Sequence, residues 1–146
     1  MDRVRIKIKR IHPRAELPIY AHRGPSGDLA ADLVAVQRKR LSPGEVALIR
    51  TGLVAEFPQG FGAIIEDRSG LATKGVCTLG GVIDPGYRGE IKIVVANVGR
   101  TSVTLRRGDR IAQMRIVRRI EASFPEVKAV SHSQRGARGF GSTGLE

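Results

Sequence analysis

The sequence predicts an all-β domain of the sandwich, barrel or jelly-roll type. Three observations point there. Val and Ile are abundant and Trp is absent, with 18 glycines and 7 prolines scattered along the chain, a composition that suits short strands joined by turns. Turn signals recur every ten or so residues. One stretch alone, residues 69–74, reads as helical, and it is only a turn or two long.

The elements follow in order. Residues 3–9 alternate strictly between basic and apolar side chains, so the strand read over about 3–11 carries its charges on one face and Val or Ile on the other. Pro13 and Pro18 break the chain, residues 22–27 form a turn-rich stretch, and residues 28–36 return to mixed apolar character. Ser42-Pro43-Gly44-Glu45 is a turn. Residues 46–49 and 52–57 read as two short strands on either side of a kink. Pro58-Gln59-Gly60 turns into a strand over 61–66, and the short helix follows. Strands at 76–79 and 90–98 flank residues 80–89, which read as a β-hairpin with an elaborate tip. Turns at 99–101 and 107–109 bracket a strand at 103–105, and a last long strand runs over 111–120. There is no internal repeat.

The chain has 146 residues, enough for one core. The division expected is a β-barrel core domain over 1–122 and a mobile C-terminal arm over 123–146, because residues 131–144 are rich in Gly and Ser and bury little of themselves. No apolar run is long enough to cross a bilayer, so no membrane partner is expected. The charged N-terminus lacks the apolar segment of a signal peptide, which makes the cytoplasm the expected location. Cys77, the single cysteine, stands in an apolar run and reads as a buried, inert thiol.

A formal net charge of +11 first suggests a polyanionic partner. The Lys and Arg residues are dispersed, however, with few aromatics among them. Solvated strand faces explain them at least as well, so no specific nucleic acid is expected. Familiar catalytic constellations are missing. His12, His22 and His132 fall in no metal-ligand spacing, and neither Gly-x-Ser-x-Gly nor Gly-Lys-Ser/Thr occurs.

What remains is a series of polar clusters: Ala31-Asp32-Leu33, Asp67-Arg68-Ser69-Gly70-Leu71-Ala72, Gly81-Val82-Ile83-Asp84-Pro85-Gly86-Tyr87-Arg88-Gly89-Glu90, and Gly108-Asp109-Arg110-Ile111-Ala112-Gln113. The arm adds Arg135-Gly136-Ala137-Arg138-Gly139-Phe140-Gly141-Ser142-Thr143-Gly144. Each alone is explained by turn chemistry or a tail. In this order and at this spacing they resemble all five motifs of the trimeric dUTPase family, over roughly residues 3–144.

The resemblance implies a dUTPase-like distorted jelly roll or β-barrel with a Gly-rich arm. It implies hydrolysis of dUTP to dUMP and pyrophosphate, which keeps uracil out of DNA and supplies dUMP for thymidylate synthesis. Main-chain groups around Gly81, Val82 and Ile83, and near Lys92 across the hairpin, would hold uracil. Cytosine would leave such groups unpaired, and mismatches of that kind discriminate by roughly 10⁴-fold. Tyr87 would pack against the deoxyribose. Asp84 would activate the water that attacks the α-phosphorus. Arg68, Ser69 and Gly70, at the start of the short helix, and Gln113 would bind the phosphates. Arg135 would take the γ-phosphate, Phe140 would stack on uracil, and Gly141, Ser142 and Thr143 would wrap the phosphate chain. Mg²⁺ would bridge the phosphates without a direct protein ligand. Asp32 would stand behind its water shell or hold Arg135. Asp109 and Arg110 would pair with each other or with neighbours. The family also implies a homotrimer, with sites shared between subunits.

Three positions depart from the family pattern: Ala31 where an aromatic is common, Asp67 where Pro is common, and Pro85-Gly86 before Tyr87. Asp67 is expected to pair with Arg68. The related dCTP deaminases share the Ile-Asp-Pro-Gly-aromatic hairpin, but their pattern places a catalytic Glu where this chain has Val94. That substitution argues against deamination.

Overall fold

The computed structural model describes residues 3–139. Two four-stranded antiparallel sheets and a two-stranded ribbon enclose one core, with a single four-residue helix. The strands are β1 (Lys7–Arg10), β2 (Ala31–Val34), β3 (Lys39–Leu41), β4 (Val46–Glu56), β5 (Phe61–Glu66), β6 (Val76–Leu79), β7 (Val82–Ile83), β8 (Glu90–Asn97), β9 (Val103–Leu105) and β10 (Arg110–Arg118). Helix α1 (Ser69–Ala72) lies between β5 and β6. The first sheet has the order β1-β4-β8-β6 and the second β2-β10-β5-β7, while β3 and β9 form the ribbon. This is the jelly-roll-like, nearly all-β architecture expected.

Alternation decides which way each strand faces. Along β8, Ile91, Ile93 and Val95 point inward and Lys92 outward; Ile49 and Leu53 of β4 join them in the core. Leu33, Leu41, Leu105 and Ile111 complete the centre. Burying side chains of this size contributes roughly 1.5–3 kcal/mol each relative to full exposure. The alternation in the first segment also holds: Ile6 and Ile8 pack against the core while Lys7 and Lys9 are exposed. The strand itself is confined to Lys7–Arg10. Asn97, fully buried, donates to the carbonyls of Leu41 and Thr101 and accepts from the Gly99 N–H. It thereby ties the end of β8 to the ribbon and to the turn that follows.

The structure departs from the sequence reading in four places. The two short strands around a kink are one strand, β4, whose register against β8 slips between Arg50 and Val54. Residues 80–89 are not a plain hairpin tip. β6 and β8 do pair, but Val82-Ile83 leaves them and pairs with β5 in the other sheet. Lys39–Leu41 forms a strand that its Lys-Arg-Leu sequence does not announce. Cys77 is half-buried rather than buried, its thiol 3.8 Å from the Ala96 carbonyl.

After β10 no strand or helix follows among the described residues. Ile120, Phe124 and Val130 are exposed there at 86%, 91% and 88%. No helix among the described residues is long and apolar enough to cross a membrane.

Candidate functional site

The departure of β7 from β6 opens the first concave surface. The β6–β8 ladder ends at Leu79↔Val94. Beyond it, residues 90–93 of β8 pair only with β4, so their other main-chain edge is unpartnered by any strand. β7 crosses to β5, with Ala63↔Ile83 and Ile64↔Val82. The gap between the two is a cavity of about 290 Å³ lined by Gly81, Val82, Ile83, Asp84, Tyr87 and Lys92, among others. Its lining combines glycines and aliphatic side chains with the strand-free edge of β8, which suits a flat ligand with hydrogen-bonding edges.

Glycine permits the crossing. A Cβ on Gly81 would run into the Ile65 carbonyl, and one on Gly62 would meet the Ile83 carbonyl at 2.6 Å. The Gly81 carbonyl accepts from the Ile65 N–H at 2.7 Å. Ile83 is buried and Val82 is exposed, so one anchors β7 while the other forms a lip. Asp84 then begins a turn closed by the Tyr87 N–H on its carbonyl. Its carboxylate is exposed and has no hydrogen bond or ion pair among the described residues. An unpaired carboxylate at the mouth of a cavity is available to accept a proton.

The second concave surface, about 440 Å³, gathers Asp32, Arg68, Ser69 and Gln113 together with Glu66, His22 and Asp28. Register explains the convergence. Gln113 of β10 is paired with Asp32 of β2 on one side and Glu66 of β5 on the other. Arg68 and Ser69 follow immediately after β5. The Asp32 carboxylate holds two guanidinium groups: Arg68 Nε at 2.7 Å and Arg110 Nη1 at 3.1 Å. Arg68 Nη1 also donates to the Arg110 carbonyl at 3.3 Å. Gln113 Nε2 donates to the Asp67 carbonyl at 2.6 Å.

The Ser69 and Gly70 N–H groups precede the first intrahelical bond, from the Leu71 N–H, and are left over for an outside acceptor. At the rim, Asp28 accepts from the His22 N–H at 2.8 Å and approaches its ring at 3.1 Å. These contacts, the main-chain one first, hold the Asp28 carboxyl below its ordinary value.

One pairing differs from expectation: Arg68 pairs with Asp32, whereas Asp67 accepts from the main-chain N–H and hydroxyl of Thr78. Asp109 and Arg110 pair with neighbours rather than with each other, Arg110 with Asp32 and Asp109 with the Arg106 N–H within its turn. The sequence reading missed the parts of Glu66, His22 and Asp28 at the second surface. Strand register brings Glu66 there, opposite Gln113, while His22 and Asp28 come from the loop before β2.

The two surfaces share no lining residue. Arg135 lines neither; its Nε donates to the Arg138 carbonyl at 3.0 Å. Phe140, Gly141, Ser142 and Thr143 lie outside the described residues. Among the described residues, no group of three or more His, Cys, Asp or Glu converges as metal ligands. Asp32, with both oxygens on guanidinium groups, could meet a hydrated cation only at its outer shell.

Comparisons with known proteins give the family. The sequence model of the dUTPase family matches residues 18–144. A deoxyuridine 5'-triphosphate nucleotidohydrolase from Solibacter usitatus is 50% identical, with 99% of each chain covered. One from Thermobifida fusca is 49% identical, over 97% of this chain and 79% of that protein. Among solved structures, a dUTPase of Staphylococcus bacteriophage 80alpha with dUpNHpp superposes with a TM-score of 0.83. The two are 25% identical, and the match covers 97% of this chain and 99% of that one. The chain belongs to the dUTPase family.

Proposed function

We propose that the chain is a cytoplasmic dUTP diphosphatase, with Asp84 as the base and the two concave surfaces as the nucleoside and phosphate halves of one site. The observation that carries this reading is the gap that opens where β7 leaves β6 for β5, with the strand-free edge of β8 on one side and the unpaired Asp84 carboxylate in its lining. Uracil enters the gap and pairs with the free edge of β8 and the Gly81–Ile83 segment. Tyr87 lies against the deoxyribose, and Lys92 faces the cavity from the second strand.

Asp84 takes a proton from a water whose oxygen bonds to the α-phosphorus. The bond from that phosphorus to the α–β bridging oxygen breaks, and pyrophosphate leaves with the electron pair. General-base assistance of this kind is worth roughly 10² to 10⁴-fold. Arg68, aimed by Asp32, acts on the phosphates with Ser69, Gly70 and Gln113. Arg-phosphate contacts are charge-assisted and directional. The arm, residues 123–146, brings Arg135 to the γ-phosphate and closes Phe140, Gly141, Ser142 and Thr143 over the substrate, excluding water. Asp32 would stand behind the water shell of a bound Mg²⁺, which would supply neutralisation of phosphate charge.

The halves join in a homotrimer, the nucleoside surface of one chain meeting the phosphate surface of another. The separation of the two surfaces within one chain supports this. So do the exposed Ile120, Phe124 and Val130, which gain by packing on a neighbour.

The test is pyrophosphate release from dUTP, dCTP, dTTP and UTP in magnesium, with Asp84→Asn beside the wild type. Release from dUTP alone, lost in the variant, supports the reading. Ammonia from dCTP, or no release from dUTP, contradicts it.

A further inference from the structure

Tyr87 is tied to the main chain of Glu90, a residue whose carboxylate the proposed chemistry does not use. Tyr87 Oη donates to the Glu90 main-chain carbonyl at 2.9 Å. The ring crosses Gly89, where a Cβ would collide with the phenol oxygen. Tyr87 is 46% exposed, so the first residues of β8, rather than a closed pocket, determine where it sits.

Those residues lie beside an irregularity. The β4–β8 register slips between Arg50 and Val54, opposite Glu90, and an ordinary ladder does not fix the start of β8 there. The Glu90 side chain does. Arg50 Nε donates to its two oxygens at 3.0 and 3.1 Å, and the Gly52 N–H donates to Oε1 at 2.9 Å. Only 9% of the Glu90 side chain is exposed. Next to it, Thr51 Oγ1 donates to the Ile91 carbonyl at 2.5 Å. Gly52 is itself immobilised. Its φ of +67° is one that few other residues adopt, its carbonyl accepts from the Ile11 N–H, and a Cβ would meet His12 Cβ at 2.6 Å. The Arg88 guanidinium serves the turn instead, donating to the Pro85 and Tyr87 carbonyls.

We infer that Glu90, gripped by Arg50 and the Gly52 N–H, is a positioning residue that fixes Tyr87 and so sets the discrimination between deoxyribose and ribose. This rests on the reading above, in which Tyr87 faces the sugar. Exclusion of a 2′-hydroxyl by contact is only as strong as the wall is rigid. Charge-assisted bonds to a nearly buried carboxylate restrain that wall more firmly than neutral ones.

The experiment measures kcat and KM for dUTP and UTP in the wild type, Glu90→Gln, Glu90→Ala, Arg50→Ala, Arg50→Lys and Tyr87→Ala, with thermal melts to show which variants are folded. In Glu90→Ala the dUTP/UTP ratio of kcat/KM falls about tenfold, mainly through a lower KM for UTP. Arg50→Lys keeps more of the ratio than Arg50→Ala, and Glu90→Gln falls between wild type and Glu90→Ala. If Glu90→Ala does not fold, the Arg50 pair carries the test. A merely structural role lowers activity on both nucleotides in proportion and leaves the ratio alone. A wild-type ratio in every folded Glu90 and Arg50 variant overturns the inference. Collapse of the ratio in Tyr87→Ala alone then leaves the site reading standing. If Tyr87→Ala also keeps the wild-type ratio, the role of Tyr87, and the inference with it, is wrong.

Discussion

The two concave surfaces are built on opposite plans. Around Val82-Ile83 and the start of β8, an open strand edge and close-packed glycines shape the gap, and its carboxylate, Asp84, is unpaired among the described residues. Around Asp32 and Gln113, side chains form the surface, and the most important of them are already engaged in ion pairs. The first plan suits a ligand with a fixed pattern of donors and acceptors, because main-chain groups cannot change rotamer. The second suits a flexible polyanion, because guanidinium groups held by one carboxylate can be exchanged onto phosphate oxygens. The difference teaches that selectivity and charge handling are separable here, and substitutions should separate them.

The largest separation is expected at Asp84. Asp84→Asn should lower kcat for dUTP by about 10² to 10⁴-fold with KM little changed, because it removes a base and leaves both walls intact. Steady-state pyrophosphate release reports this. A large KM effect with kcat preserved would move Asp84 from chemistry to binding.

Gly81→Ala comes next. Its Cβ has only the Ile65 carbonyl to meet, and main chain gives way poorly. Forced overpacking costs about 1–3 kcal/mol, and β7 should shift away from β5. A lower melting temperature and a loss of preference for dUTP over dCTP are the expected readouts. Asp32→Asn should act on the other half. It leaves Arg68 and Arg110 without their shared counter-charge, one of them about a third exposed and the other nearly half. We expect a loss of about 1–2 kcal/mol and a raised KM for dUTP, with the dUTP/dCTP preference retained. A Gly81→Ala variant that weakened only phosphate binding would erase the distinction.

The smallest effect is a pH dependence at the rim of the phosphate surface. The Asp28 carboxyl is held below its ordinary value by the His22 N–H and ring. A group lowered in the folded state contributes stability above its unfolded value and loses it as pH falls through the folded one. The protection of the His22 amide, its hydrogen-exchange rate relative to that of an unstructured chain at the same pH, should therefore be high near neutrality and fall on acidification below the ordinary carboxylate range. The same acidification should leave the protection of the Tyr87 amide, bonded to a main-chain carbonyl, unchanged.

Much of this was readable before any fold was known, and the residues show why. Alternation at residues 3–9 gave the orientation of β1, and turn chemistry at Ser42-Pro43-Gly44 and Pro58-Gln59-Gly60 gave the ends of β4. The polar clusters of the phosphate surface were legible as clusters. Their pairing was not, because Asp32 reaches Arg68 and Arg110 only through the register of β2 on β10. The path of β7 was also hidden. Val82-Ile83 is as apolar as a hairpin strand, and its transfer to β5 depends on bare space both at the adjoining Gly81 and at Gly62 on distant β5. Glu90 looked like the end of a motif. Its grip by Arg50 and Gly52 arises from a register slip across 40 residues of sequence, which local pattern does not encode.

The account stands or falls on the two surfaces being halves of one site completed between copies of the chain. Mixing two inactive variants tests this directly: Asp84→Asn, damaged only in the nucleoside half, and Arg68→Ala, damaged only in the phosphate half. The two are unfolded together, refolded as hybrids and assayed for pyrophosphate release from dUTP. The account predicts that activity absent from either variant alone returns in the hybrids, because some sites then receive an intact half from each chain. Hybrids as inactive as the parents, with mixed oligomers demonstrated, would contradict it and place both halves of each site within a single chain.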